Sequence, residues 1–393
     1  MVTYPSDWKE YKINDVADIF DNLRIPVTKN QRKAGNIPYY GANGIQDYVS
    51  GYTHDGEFVL IAEDGANDLQ NYPVTYTSGK IWVNNHAHVL AGVNSKADTR
   101  FLAYLLKTVD FSAVLVGGTR AKLNGKTLKN IEVTLPERLK EQQTIASVLS
   151  DFHEHIDNLS ELIEKKKAIR DGALEDLVSG RTRLDGFNGE WVEMTLEDIC
   201  VPNGLVRGPF GGSLKKEMFV SKGNKVYEQR NAIYKSVRIG DYYISNGKYN
   251  ELSRFAVKAD DFIVSCSGTI GKIFKIPKQY KRGIINQALL KISIDQTKCN
   301  LNYFYKYFEW DKFQDSIIDN TQGGAMKNLV GMDIFRKTVI LMPRDITEQK
   351  AIAQIISAMD EEIESLKIEK EKMIQIKEGA MDDLLTGRVR LNV

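Results

Sequence analysis

The sequence predicts a mixed α/β chain, with two similar globular segments separated by a pair of long antiparallel coiled-coil helices in a pseudo-twofold arrangement. Three observations carry this expectation. A stretch of about 44 residues occurs twice without a gap at an offset of 207, from Glu141 to Leu184 and from Glu348 to Leu391, with nineteen identical positions. Both copies show an apolar stripe at three- and four-residue steps, the mark of an amphipathic helix. The segments before them share an opening phrase, Trp8 to Val16 against Trp191 to Ile199, and both close on a short apolar run ending in proline, at Pro136 and Pro343. A period above 200 residues is too long for a solenoid, so the chain is two copies of one unit, each a globular segment plus a helix.

Four stretches follow: globular segments over 1–140 and 186–347, and helical spacers over 141–185 and 348–393. Within the segments, Phe58 to Ala62, Lys80 to Val83, Phe262 to Ser265 and Ile284-Ile285 read as strands, separated by glycine, asparagine and aspartate turns. Arg100 to Lys107 and Asn302 to Phe308 read as short helices packed on the sheet. In the spacers, Ile145, Leu149, Phe152, Ile156 and Leu159 form one stripe, and Ile352, Ile356, Met359, Ile363 and Leu366 the other. So narrow a stripe needs a partner stripe, and each copy supplies the other's. An antiparallel pair would put the two globular segments at opposite ends of one rod. Gly172 and Gly379 interrupt good helix formers at about 0.5–1 kcal/mol each. That expense fits either a close helix approach or a local kink or early helix end.

Composition narrows the function. The chain of 393 residues is 42% hydrophobic and 9% aromatic. That is enough for two or three cores. No basic, apolar leader opens the sequence and no run approaches a membrane span, so no membrane partner is expected. Cys200, Cys266 and Cys299 are odd in number and widely spaced, which fits a reducing cytoplasm and neither a disulfide framework nor a structural zinc site. The net charge of +1 hides an asymmetry. Residues 141–178 carry nine acidic and four basic side chains and residues 348–385 carry ten and five, −5 each, which leaves +11 for the remainder. Such a split suits a polyanion on the globular surface, though long helices are often Glu-rich for their own sake.

Catalytic motifs are missing. Gly125-Lys126-Thr127 has the tail of a phosphate loop, but Arg120 stands where its first glycine belongs. Asn71-Tyr72-Pro73-Val74 is not an adenine-methyltransferase signature and reads as a turn, and Glu164-x-Lys166 lies on a charged helix face. His86 and His88 share a strand face without a third ligand nearby in sequence, and His153 and His155 point apart on a helix.

The doubled phrases, proline then Glu141-Gln142-x-x-Ile145-Ala146, and Gly172-Ala173 through Gly180-Arg181-x-Arg183-Leu184, each with its partner 207 residues on, resemble the helical regions of the DNA-specificity subunit of type I restriction-modification systems. Tyr39-Tyr40-Gly41-Ala42-Asn43-Gly44, Lys80 to Ala87, and Ser267-Gly268-Thr269-Ile270-Gly271 look like phrases of its target-recognition domains. The resemblance implies a non-catalytic, sequence-specific subunit. Each recognition domain would read half of an asymmetric split target in double-stranded DNA. The helices would space the halves and dock two methyltransferase subunits, joined by restriction/translocase subunits. S-adenosylmethionine and ATP with magnesium would belong to those partners, with no cofactor held by this chain. The rival reading is a non-catalytic coiled-coil adaptor whose two domains bind protein or another ligand.

DNA readout needs cations for phosphates and planar amides or guanidinium groups for base edges. Aligning Val83 to Ala87 with Ile284 to Ala288 places Asn85 opposite Asn286 and His86 opposite Gln287, the best base-reading candidates, with turn or capping roles open for the asparagines. Lys80, Arg120, Lys122, Arg254, Lys272, Lys281, Arg282 and Lys327 are candidates for phosphates, and Asn43 for either DNA or a turn. Any one of these cations can equally be a plain solvated surface residue.

Overall fold

The computed structural model describes residues 3–115, 122–319 and 328–392. They form two compact units, Met1–Glu161 with Lys367–Val393, and Leu162–Leu366. Unit 1 runs β1 (Trp8–Lys12), α1 (Ile13–Val16), β2 (Ala17–Ile19), β3 (Ala34–Gly41), β4 (Gly44–Val49), β5 (His54–Ala62), β6 (Val74–Val83), β7 (Ala87–Gly92), α2 (Thr99–Leu106), α3 (Gly125–Lys129), β8 (Glu132–Pro136) and the start of α4 (Leu139–Val178). Its main sheet has the order β2-β7-β5-β6-β3-β4, parallel at β3–β6, with β1–β8 a separate ribbon. Phe58 to Ala62 is buried along its whole length because both faces of β5 are covered, as continuous apolar runs require.

Unit 2 runs β9 (Trp191–Thr195), β10 (Cys200–Arg207), β11 (Phe219–Val220), β12 (Asn224–Tyr227), α5 (Gln229–Ile233), β13 (Tyr243–Ile244), α6 (Asn246–Glu251), β14 (Phe262–Ser265), β15 (Ile273–Lys275), β16 (Gly283–Ile285) and β17 (Leu289–Ile294). It continues through α7 (Leu301–Glu309), α8 (Asp311–Ile317), β18 (Ile318–Asp319), β19 (Asn328–Leu329), α9 (Met332–Lys337), β20 (Val339–Pro343) and the start of α10 (Ile346–Leu385). Its strands divide into the sheets β10-β17-β14-β15 and β11-β13-β12-β16, with β9–β20 repeating the ribbon of unit 1. Asp98 and Asn300 cap α2 and α7 by accepting backbone N–H bonds, from Phe101 and from Tyr303.

The two long helices have 40 residues each. At about 1.5 Å of rise per residue, each is roughly 60 Å long. The Glu-Gln phrase that opens both is buried machinery. Gln142 Oε1 accepts from the Asp98 amide at 2.8 Å, and its Nε2 donates to the carbonyls of Lys96 and Pro136 at 2.9 and 2.8 Å. Gln349 does the same with Asn300, Lys298 and Pro343. Glu348, 1% exposed, takes the Arg183 guanidinium in two bonds of 2.7 and 2.9 Å. In unit 1 the equally buried Glu141 takes Arg390, which also grips Asp7 at 3.0 and 3.1 Å. Each Gly-Arg-x-Arg-Leu tail therefore fastens onto the start of the other repeat's helix. The helices run antiparallel within each unit. In unit 2, Arg170 meets Asp360 and Lys166 meets Glu362, and in unit 1, His155 meets Glu369 while Arg390 meets Glu141.

The apolar stripe divides its work. Ile145 and Leu149 join the globular core of unit 1 beside Leu384 and Leu385, and Ile352 and Ile356 join that of unit 2 beside Leu174 and Leu177. Ile156, Leu159 and Ile363 are buried, and Phe152, Met359 and Leu366 half-buried. The glycine expectation needs correction. A Cβ at Gly172 or Gly379 would meet nothing within 4 Å, and both helices run through these positions without ending. These exposed glycines support neither a close helix approach nor an early stop. Gly180 and Gly387 both hold a left-handed backbone, with φ of 70 and 71 degrees. They are the true terminators, since glycine takes that conformation at a helix C-terminus without a Cβ penalty.

Candidate nucleic-acid interface

In unit 1 four segments meet at one end of the main sheet. Asn43, in the β3–β4 turn, donates from Nδ2 to the Gly65 carbonyl at 2.9 Å and accepts the Asn67 amide at 3.0 Å. His86, in the β6–β7 turn, bonds Asp64 at 2.5 Å, and Lys122 bridges to Asp64 through its backbone. Behind them lies a charge network that the sequence scatters over a hundred residues. His88 Nδ1 faces Asp21 at 2.5 Å and its Nε2 faces the Leu123 carbonyl at 2.8 Å. Glu63 takes Arg24 at 2.7 Å and Lys122 at 2.8 Å. Burial pushes the Asp21 carboxyl up, but His88, the Val89 amide and Arg24 outweigh it and hold it below the usual range. Glu63 is likewise pushed up by burial and pulled down further by Lys122 and Arg24. Asp21, Glu63 and His88 supply the third ligand that the sequence does not show. Within the trio His88 is engaged by Asp21 and by the Leu123 carbonyl, and Glu63 by Arg24 and Lys122.

In unit 2 the corresponding segments are 207–213, 228–229, 266–271 and the 286–288 turn. The Asn286 amide donates to Tyr227 at 2.9 Å, as Asn84 does to Tyr40 at 3.1 Å, and the Cys266 amide donates to Ala288, as Glu63 does to His86. These bonds, with the ladders β5–β7 and β14–β17, fix the correspondence of the two units. It corrects the sequence alignment by one residue: Asn84 matches Asn286, Asn85 matches Gln287, and His86 matches Ala288. Asn84 and Asn286 are both turn formers, accepting the amide two residues on at 2.8 and 3.0 Å. Asn85 and Gln287 are the exposed residues at the two tips.

The remaining candidates are spread out. Lys272, exposed at the start of β15, belongs to the unit 2 cluster through the Ser265 hydroxyl, which its amide contacts at 3.0 Å. Three more cations lie over tyrosine rings, where the π face attracts positive charge. Lys80 lies over Tyr52 at 4.8 Å, Lys281 over Tyr243 at 5.3 Å, and Arg282 over Tyr249 at 4.1 Å, all upstream of the turns along their strands. Arg254 lines a cavity of about 840 Å³ shared by Glu197, Asp198, Asp295 and Asp333 with Lys298, Arg336 and Lys337, a mixed-charge lining unsuited to a phosphate track. Arg120 and Lys327 lie outside the described residues. Gly125-Lys126-Thr127 opens α3 under an Asn124 cap, as its failure to match a phosphate loop suggests. The sequence reading missed Arg207 and Gln229. Arg207 is marked by its place in the strand ladder opposite Leu290, and Gln229 by its place at the start of α5, two residues past Tyr227.

Comparison with known proteins agrees with this geometry. Residues 5–168 and 188–377 both match the type I restriction modification DNA specificity domain. A type I restriction enzyme specificity subunit of Haemophilus influenzae is 32% identical over 361 residues, covering 90% of this chain and 87% of that one. The MjaX specificity subunit of Methanocaldococcus jannaschii is 24% identical over 98% of this chain and 95% of its own length. Among solved structures, the S subunit of a type I restriction-modification system from M. genitalium has the same fold, with a TM-score of 0.62 at 15% identity over 98% of this chain and 96% of that one. The HsdS subunit of Thermoanaerobacter tengcongensis gives 0.52 at 13% identity, with 98% of each chain covered. Among the described residues no helix is long and apolar enough to cross a membrane. With both halves of the chain matched, the protein belongs to the type I restriction-modification DNA specificity subunit family.

Proposed function

We propose that this chain reads a bipartite, asymmetric target in double-stranded DNA, one half-site per recognition domain, and docks two methyltransferase subunits and restriction/translocase subunits without catalysing a reaction itself. The observation that carries the reading is the matched pair of turns, Asn84-Asn85-His86 and Asn286-Gln287-Ala288, on two units of one ancestry whose surrounding side chains differ. A common backbone with different exposed amides is what two half-site readers of different sequence require.

In this reading the chain's residues place the duplex and hold it. Exposed amides at the turn tips meet base edges, and lysines such as Lys272 neutralise phosphates. The partner methyltransferases would supply S-adenosylmethionine and the base-flipping pocket that N6 methylation of a paired adenine demands. ATP with magnesium would serve the restriction/translocase subunits. The test is a gel-shift titration of the chain with its methyltransferase partner against random-sequence and selected duplexes at rising salt. Sequence-specific binding that weakens steeply with salt is expected, since phosphate contacts release counterions. Equal affinity for all duplexes, or none, would favour a protein-binding adaptor instead.

A further inference from the structure

The two readout ends differ most where Asp21 of unit 1 corresponds to Arg207 of unit 2. Ile19 pairs with Leu90 and Leu205 with Ile292 in equivalent ladders, which makes Asp21 and Arg207 the equivalent residues two steps on. Asp21 is consumed by His88, the Val89 amide and Arg24. Arg24, the guanidinium of that cluster, is itself tied to Glu63 and to the Ala87 and Asp21 carbonyls. Among the described residues, unit 1 thus keeps no uncommitted guanidinium in this cluster.

Unit 2 keeps one. Among the described residues the Arg207 Nε is buried without a hydrogen-bond partner, and the guanidinium sits 5.9 Å from the Phe210 ring, which is 66% exposed. Leaving a buried N–H unpaired is unfavourable, and Arg207 as a whole is only half-buried, which leaves the side chain within reach of a partner from outside the chain. The setting is built around the readout turn. The Gly208 amide donates to Leu289 at 2.9 Å, and a Cβ on Gly208 would overlap the Asn286 carbonyl oxygen, so only glycine lets the Arg207 segment press against that turn. On the turn's other flank, two residues past Tyr227, the Gln229 Oε1 is also buried without a partner, and its Nε2 lies 3.6 Å from the place of a Cβ on Gly268. An unsatisfied donor and an unsatisfied acceptor therefore border one turn.

We propose that Arg207 is a base-reading side chain of unit 2, presenting its guanidinium fork to the O6 and N7 acceptors of a guanine, with Gln229 taking an edge of an adjoining base. The inference rests on the DNA-recognition reading above and names residues and a base within it. Arginine to guanine is the bidentate match in a groove whose donor and acceptor pattern distinguishes all four base pairs. The described residues of the unit 1 cluster offer no such guanidinium.

The test is selection of bound duplexes from a randomised library by the full chain assembled with its methyltransferase partner. The wild type is expected to select two specified blocks, one of which contains an invariant guanine. Arg207→Ala is expected to lose preference at that guanine by about tenfold to a hundredfold, leaving the other block unchanged. Arg207→Lys, which keeps the charge and most of the side-chain length, is expected to weaken the preference without abolishing it. Gln229→Ala is expected to relax a position next to the guanine. Unaltered preference at every position in Arg207→Ala or Arg207→Lys overturns the assignment, as does an equal loss in both blocks at an unchanged melting temperature. A wild-type complex that selects no sequence overturns the DNA-recognition reading itself, and the assignment with it.

Discussion

Replacing Gln142 with methionine tests how the doubled Glu-Gln phrase works. The side chain is fully buried and makes three hydrogen bonds, to the Asp98 amide and to the Lys96 and Pro136 carbonyls. Methionine preserves the volume and strips all three. Each lost bond is worth about 1 kcal/mol, and each backbone group left buried and unpaired adds a desolvation penalty of comparable size. Some of this is offset by the apolar gain of the thioether, which leaves a net loss of about 3 kcal/mol. For a domain of this size that is a fall of roughly 6–12 °C in melting temperature. Differential scanning calorimetry of the purified chain, with exposed Gln143→Met as the control, reads the effect directly. A Gln142→Met transition indistinguishable from wild type, or an equal fall in the control, would refute the view that this glutamine locks the strand-to-helix junction.

Other consequences follow from the same contacts. Arg390→Ala should lower the melting temperature of unit 1 more than that of unit 2, because it strips the buried Glu141 of its guanidinium, whereas Arg183→Ala should do the reverse through Glu348; two-transition calorimetry of both variants separates them. Burial pushes the Asp360 carboxyl up, but Lys306 and Arg170 outweigh burial and hold it below the usual range. A depressed folded pKa gives stability that is present above the unfolded value near about 3.9 and lost as pH falls through the folded one, so Asp360→Asn should flatten acid unfolding below about pH 4. All three cysteines are buried, with burial pushing the Cys200 and Cys266 thiols up to about 12. Maleimide should therefore leave native protein unlabelled at neutral pH and label three sites in urea, as counted by mass spectrometry. Adding one helical turn, about 5.4 Å, at matching places in both long helices should widen the preferred spacer by one to two base pairs at about 3.4 Å each, and an unchanged spacer in a methylation map would reject the helices as a ruler.

The helices were legible in the sequence because their signal is local. An apolar stripe, a repeated phrase and a glycine stop each declare themselves within a few turns. Strands such as Phe58 to Ala62 were legible for the same reason. The candidate site was not, because its parts meet only in the fold. Asp21, Glu63, His88 and Lys122 come from four separate segments, and nothing near His88 in the sequence announces Asp21. The turns were misaligned by one residue because two adjacent asparagines, Asn84 and Asn85, are identical in type and differ only once folded, the first buried and the second exposed. Hydrogen bonding to Tyr40 and Tyr227, not residue type, decides which of them matches Asn286. Arg207 escaped notice because a strand-end arginine looks like any surface cation until its neighbours are seen to leave it unpaired. Gly172 and Gly379 misled in the opposite direction: identical in both copies, they have no neighbour within 4 Å of where a Cβ would stand.

The most direct measurement is a genome-wide map of methylated adenine in a host with and without this chain, its partner subunits present in both. Reading by two different domains predicts that one sequence gains methylation, made of two unlike specified blocks separated by a spacer of any sequence. A single continuous motif, a palindrome, or an identical map in the two hosts would contradict it.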